Sequence, residues 1–159
     1  MLTREEIETL IEVRASPIQG SGMFARRPIA EGTRLIEYAG EVISEAEGDA
    51  RYDEGAMARH QTYLMALEGG RCIDAAVGGN ESRFINHSCE PNCEAVEDDG
   101  RVWIETIQPI EAGQELTYDY SYERSEGDDE AFYRCGCGTP GCRRTILAPR
   151  APRGEEGAG

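Results

Sequence analysis

The sequence predicts one small, irregular, mostly β domain with few short helices. Two observations carry that prediction. Short runs rich in β-branched and aromatic residues recur along the chain, closed by glycine or proline, and only two stretches carry helix-start signals. The 159 residues suffice for one core burying roughly 70% of the unfolded surface, but not for two full domains.

Taken in order, residues 3–11 read as a short helix, because Ile7, Leu10 and Ile11 share a face and Thr3 forms a capping box with Glu6. Glycines then punctuate residues 18–22. Residues 33–43, with Leu35, Ile36, Tyr38, Val42 and Ile43, suit a strand pair or one bent strand. Ser44-Glu45-Ala46-Glu47 repeats the capping-box pattern and opens a polar helix toward Arg59. Residues 63–67 and 72–74, separated by Glu68-Gly69-Gly70-Arg71, read as a hairpin. Residues 101–107 and 115–120 are two further strands, parted by Pro109 and Ala112-Gly113. The Pro-, Gly- and Ala-rich end, residues 148–159, is expected to be a disordered tail.

Charge narrows the function classes. With 31 acidic and 16 basic side chains the formal net charge is −15, which repels a phosphate backbone and disfavours direct nucleic-acid binding. Residues 94–130 hold 13 of the acids against Arg101 and Arg124, a face able to steer basic peptides, although charge alone favours reading it as a solvated, solubilising surface. All 16 basic residues are arginine, so the chain has no lysine side chain of its own to modify. No run nears ~18 apolar residues and no apolar segment follows the acidic start, so membrane association is not expected. The expectation is an intracellular protein, for which a bacterial cytoplasm and a host nucleus both fit.

Six cysteines, Cys72, Cys89, Cys93, Cys135, Cys137 and Cys142, occur without a signal peptide, which favours metal ligation or buried thiols over disulfides. Cys135-Gly136-Cys137-Gly138-Thr139-Pro140-Gly141-Cys142 places three thiols on a loop able to wrap around an ion. A tetrahedral zinc site needs one ligand more, from elsewhere in the chain.

The densest polar cluster is Arg83-Phe84-Ile85-Asn86-His87-Ser88-Cys89-Glu90-Pro91-Asn92-Cys93, followed by Glu115-Leu116-Thr117-Tyr118-Asp119-Tyr120. Singly, each motif has a bland reading: a turn at Gly20-Ser21-Gly22, a hydrogen-bonded core histidine at His87, same-face aromatic packing at Tyr118 and Tyr120. Together with Gly20-Ser21-Gly22-Met23-Phe24 and Tyr38-Ala39-Gly40-Glu41, their order and spacing resemble the SET-domain protein lysine methyltransferases over about residues 13–147. Residues 135–142 are similar to the post-SET zinc segment of that family.

The resemblance implies a SET fold of short curved sheets with few short helices and a pseudoknot near the active site, followed by a C-terminal post-SET zinc loop. It divides the chain into an N-terminal helical extension (1–12), the SET domain (13–122), the zinc segment (123–148) and the tail (149–159). It implies S-adenosylmethionine held by backbone groups of Gly22 and Met23 with Arg83, Asn86, His87 and Tyr120. Tyr120 is then the catalytic tyrosine, Tyr38 and Tyr63 line a lysine channel, and Tyr118 stands where the family carries Phe or Tyr. Zinc falls to Cys89, Cys135, Cys137 and Cys142, leaving Cys72 and Cys93 as non-ligand thiols. The implied partner is a basic protein or peptide with an exposed lysine, such as a histone tail. A monomer that contacts neither nucleic acid nor membrane is expected to give chiefly mono- or dimethyl-lysine.

Two departures bear on substrate: no cysteine precedes Cys72, so the nine-cysteine pre-SET cluster of many members is absent, and residues 44–80, which usually help select substrate, are few. Two other classes compete. A non-catalytic zinc-bearing peptide-binding module has no physical need for Tyr120 or Asn86-His87. An unrelated zinc-stabilised interaction domain leaves the glycine and tyrosine motifs unexplained.

Overall fold

Ten short strands and two α-helices are present among the residues that the computed structural model describes, 2–52, 62–120 and 132–148. The far end of the helix expected toward Arg59, the acidic residues of 121–131 and the tail expected after 148 lie outside the described residues. Helix α1 (Arg4–Leu10) begins where Thr3 Oγ1 accepts the Glu6 N–H at 3.2 Å and Glu6 accepts the Thr3 N–H at 3.2 Å, the expected capping box. It stops one residue short of the expected end because β-branched Ile11 is extended and opens strand β1 (Ile11–Ala15). β1 pairs antiparallel with β2 (Ser21–Ala25), so the glycine-punctuated stretch is the corner of a hairpin.

The run expected as a strand pair divides at Gly40 into β3 (Arg34–Glu37) and β4 (Glu41–Ser44), which enter different sheets. A side chain at Gly40 would meet the Asp74 carbonyl oxygen at 2.5 Å, so only glycine permits this close approach. Helix α2 (Glu45–Arg51) is capped by Ser44, whose hydroxyl accepts the Glu47 N–H at 3.1 Å. Its last residue, Arg51, donates to Asp74 at 3.1 Å and also to Glu41 and Glu47. β5 (Leu64–Leu67) and β6 (Arg71–Asp74) form the expected hairpin.

The remaining strands are β7 (Asn86–His87), β8 (Cys93–Asp98), β9 (Arg101–Thr106) and β10 (Glu115–Tyr118). β8 is an addition to the expected set. Its turn into β9 is Asp99-Gly100, both at positive φ (53° and 75°), the two-residue turn whose twist matches antiparallel strands.

The sheets run β1-β2-β10-β7, β3-β9-β8 and β4-β6-β5. Their inner faces share one core: Met23 and Leu116 from the first, Leu35 and Ile104 from the second, Leu67 and Ile73 from the third. This is the mostly β arrangement of short sheets that the sequence predicts. β7 lies parallel to β10, with Asn86 opposite Thr117 and His87 opposite Tyr118, which sets side by side the two segments expected to meet near the active site. Among the described residues no helix is long and apolar enough to cross a membrane.

Ile104 has no exposed surface and sits on the central strand of its sheet. Ile104→Ala should lower the unfolding free energy by about 2–5 kcal/mol, read from urea denaturation, and a loss under about 0.5 kcal/mol would contradict a shared core.

Candidate active site

The segment leading into β7 is fixed by short-range bonds. Asn80 Oδ1 accepts from the Ser82 N–H at 3.0 Å and from its hydroxyl at 2.5 Å, starting a 3₁₀ turn at Glu81–Phe84, while Asn80 Nδ2 donates to the Glu37 carbonyl at 2.9 Å. Arg4 reaches Glu81 from α1 with two bonds, one of 2.7 Å. Beyond β7, buried Asn92 stitches the loop to β10: its Nδ2 donates to the Glu115 carbonyl and its Oδ1 accepts the Thr117 N–H, both at 2.9 Å.

Asn86 is held as firmly. Its Nδ2 donates toward the carbonyls of Gln19 (3.1 Å) and Ser21 (3.0 Å) and toward Glu115 Oε2 (3.0 Å), which leaves Oδ1 as the atom offered to a ligand. Glu115 also accepts the Ser16 hydroxyl at 2.8 Å. Gly22 makes room for this carboxylate, since a Cβ there would lie 2.3 Å from Glu115 Oε2.

Asn86 opens onto a cleft of about 830 Å³ including its mouth, lined by Gln19, Gly20 and Ser21, by Tyr63, by Arg83 to His87 except Ile85, by Tyr120, and by Cys135, Gly136 and Ile146. Arg83 stacks 4.8 Å above Phe84 and 5.8 Å above Tyr63, and its Nε is buried with no hydrogen-bond partner. That atom fits an anionic group such as a carboxylate, and Asn86 Oδ1 fits a donor such as an ammonium. An α-amino-acid head carries both.

Of the residues expected at the cofactor, Arg83, Asn86, His87 and Tyr120 line the cleft. Gly22 and Met23 do not. They lie inside β2 between β1 and β10, where Met23 is fully buried opposite Val13 and Leu116, and the wall is made by the preceding Gln19, Gly20 and Ser21.

Burial drives the His87 pKa down to about 4, so the ring is neutral near pH 7. Nδ1 accepts the Tyr120 N–H at 3.0 Å, which assigns the ring proton to Nε2, 3.4 Å from Cys89 Sγ. With both nitrogens engaged, His87 offers a ligand only its ring face and backbone. The Tyr120 hydroxyl donates its proton to the Ile85 carbonyl at 2.6 Å, which leaves its oxygen an acceptor on a residue that lines the cleft. The Tyr118 ring stands 4.9 Å from that of Tyr120, on the shared face that the strand period predicts. Tyr63 lines the cleft, whereas Tyr38 and Tyr118 are buried off its wall, and the Tyr38 hydroxyl donates to the Tyr63 carbonyl at 2.9 Å.

Cys89, Cys135, Cys137 and Cys142 bring their sulfur atoms within 4.8 Å of one another, while Cys72 and Cys93 are buried apart from them. Three of these sulfurs accept backbone N–H groups: Cys89 from Arg143 (3.2 Å), Cys135 from Cys137 (3.3 Å) and Cys142 from Arg144 (3.3 Å). Burial pushes the Cys89 and Cys135 thiols up. At Cys137 burial acts the same way but is outweighed by hydrogen bonds from the Cys89 and Thr139 backbone and the Thr139 hydroxyl, which bring it to about 6. Four sulfurs so supported could hold one soft divalent ion tetrahedrally.

The SET-domain family model matches residues 20–121. The chain belongs to the SET-domain family. A relative from Mycosarcoma maydis, "Histone-lysine N-methyltransferase, H3 lysine-4 specific", is 39% identical over 136 residues, 82% of this chain and 9% of that protein. "Histone-lysine N-methyltransferase ash1" of Drosophila melanogaster is 40% identical over 135 residues, covering 80% of this chain and 6% of that protein. "Histone-lysine N-methyltransferase SETD2" of Homo sapiens is 38% identical over 138 residues, 84% of this chain and 5% of that protein. The SET chain thus spans less than a tenth of the length of these relatives.

Sequence reasoning misses Glu115 and Asn92, whose work is to aim Asn86 and hold β10. No local spacing marks Glu115, because its partners Ser16 and Asn86 lie 99 and 29 positions away. Titration of the metal-free protein with Co²⁺ should saturate at one ion per chain with a tetrahedral thiolate spectrum. Cys72→Ser and Cys93→Ser should leave this unchanged, while Cys137→Ser should weaken binding at least about tenfold. Unaltered binding in the Cys137→Ser protein would contradict the four-thiol site.

Proposed function

We propose that the chain is an S-adenosylmethionine-dependent protein-lysine N-methyltransferase acting on a basic segment of a histone or other protein, with zinc at its four clustered cysteines. The observation that carries this reading is the cleft that gathers Tyr120, its hydroxyl proton committed to Ile85, with Arg83 and Asn86 along one wall. The family match and the names of the relatives support it.

S-adenosylmethionine supplies an electrophilic methyl group on a sulfonium. In this reading Arg83 Nε takes its carboxylate, Asn86 Oδ1 its ammonium, and the wall at Gln19, Gly20 and Ser21 completes the seat. A lysine of pKa ~10.4 is only ~0.04% neutral at pH 7, so presenting its free base costs roughly 4.6 kcal/mol unless the site lowers the pKa. Rings of Tyr38, Tyr63 and Tyr118 along the lysine path desolvate the ammonium and favour the amine. Tyr120 then contributes alignment and polar contact with the transferring methyl, not proton transfer. Zinc fastens residues 135–146 over the cleft, and the net charge of −15 draws in a basic segment.

Tyr118 governs how many methyl groups are added. A phenol beside the amine holds a water where a second methyl would have to sit, and expelling it costs ~1–2 kcal/mol, about a tenfold rate penalty. The product is therefore chiefly monomethyl-lysine, with some dimethyl-lysine at long times.

Incubation of the zinc-loaded chain with labelled methyl donor, histones and lysine-bearing peptides should label lysine, and mass spectrometry should find mainly the monomethyl form. Tyr118→Phe should shift the product upward, and Tyr120→Phe should lower kcat at least about tenfold. Absence of transfer to every lysine substrate would overturn the activity, and predominant trimethylation by the unmodified chain would overturn the role of Tyr118.

Charge attraction makes a further prediction. KM for a basic peptide should rise as salt shortens the screening length from ~10 Å at 0.1 M to ~3 Å at 1 M. A flat KM across that range would leave the acidity as a solubilising surface.

A further inference from the structure

We propose that Arg143 and Asp119 act as a positioning couple, through which the ordered thiol loop sets the alignment of the catalytic strand end at Tyr120. Arg143 directly follows Cys142, and its backbone N–H donates to Cys89 Sγ at 3.2 Å. Its guanidinium grips Asp119 with two parallel bonds, Nη1 to Oδ2 at 2.9 Å and Nη2 to Oδ1 at 3.0 Å, and Nη2 also donates to the Leu147 carbonyl at 3.0 Å. One residue thus touches a thiol, the carboxylate between Tyr118 and Tyr120, and the carbonyl of Leu147, which follows Ile146 of the cleft wall.

Geometry makes this more than a surface ion pair. The two side chains are 20% and 26% exposed, and a bidentate arginine–carboxylate fork fixes direction as well as distance. Asp119 shares its peptide bond with Tyr120, whose N–H meets His87 Nδ1 and whose ring lies 5.2 Å from the His87 ring. β10 itself ends at Tyr118, so beyond the ladder Tyr120 is steered by its own contacts and by the Asp119 tether. A shift of about 1 Å in a group aligned on a reacting centre costs up to a hundredfold in rate, which is the scale on which such a tether acts.

The inference deepens the methyl-transfer reading, and its test includes a readout independent of turnover. Zinc-loaded Arg143→Gln and Asp119→Asn proteins would be compared with the unmodified chain for zinc content, hydrogen exchange of the Tyr120 amide, and methyl-transfer kinetics. Each variant should keep its zinc, exchange the Tyr120 amide faster, and lose about ten- to a hundredfold in kcat with little change in peptide KM. The double variant should be no worse than the worse single one, since both remove the same interaction. Arg143→Lys should restore only part of the loss, because a point charge cannot make both bonds.

Unchanged exchange in both single variants would overturn the couple even if the chain proved inactive on every substrate, an outcome that would separately fail the methyl-transfer reading. Losses that add in the double variant would also overturn it. So would zinc loss in Arg143→Gln with an indifferent Asp119→Asn, because the arginine would then serve the thiol loop alone.

Discussion

Two residues of parallel pairing hold this site together. Asn86 and His87 lie beside Thr117 and Tyr118, and the Ser88 N–H extends the contact to the Tyr118 carbonyl at 3.2 Å. Parallel neighbours require a long crossover, and here residues 88–116 provide it with the β8–β9 hairpin, whose Val102, Trp103 and Ile104 are buried. That burial offsets the entropy of closing the loop. Without the pairing, Asn86 would leave Glu115, the Tyr120 N–H would lose its acceptor, and Cys89 would not face the loop at 135–142.

Around that pairing, polar side chains replace the ladder that two residues are too short to supply. Asn92 makes both of its bonds to β10, and Glu115 joins Ser16 and Asn86 across Gly22. Each is buried or half-buried and satisfied, so the site's polar cost is met by fixed partners and the cleft-facing atoms arrive already oriented. Arg83 Nε and Arg143 Nε are both buried without a hydrogen-bond partner, and of the two residues Arg83 lines the cleft, where a bound anion would complete the network.

What the sequence makes legible is what is local. The capping boxes at Thr3 and Ser44 and the glycine turn before Arg71 each act within a few residues, and the chain follows them. The β8–β9 turn was equally local, written as Asp99-Gly100 between β-formers. Gly22 and Met23 lie between β1 and β10, where Met23 packs into the core while the neighbouring Gln19, Gly20 and Ser21 line the cleft, a placement that only the pairing on both sides of β2 reveals. Three of the clustered thiols show in their spacing, whereas Cys89 lies 46 positions from Cys135 and comes only through the family resemblance. Glu115, Asn92 and the Arg143–Asp119 pair are products of the crossover, and no window of sequence contains both ends of any of them.

Cys135, Gly136 and Ile146 form part of the cleft wall, so in the proposed reading the cleft is finished only when the thiol loop closes. Calorimetric titration of S-adenosylhomocysteine into the protein at stepwise zinc occupancy tests this most directly, with far-UV circular dichroism reporting that the sheets persist. The number of binding sites should rise in proportion to bound zinc and vanish in the zinc-free, still folded protein. Full-affinity binding to folded protein without zinc would contradict the claim.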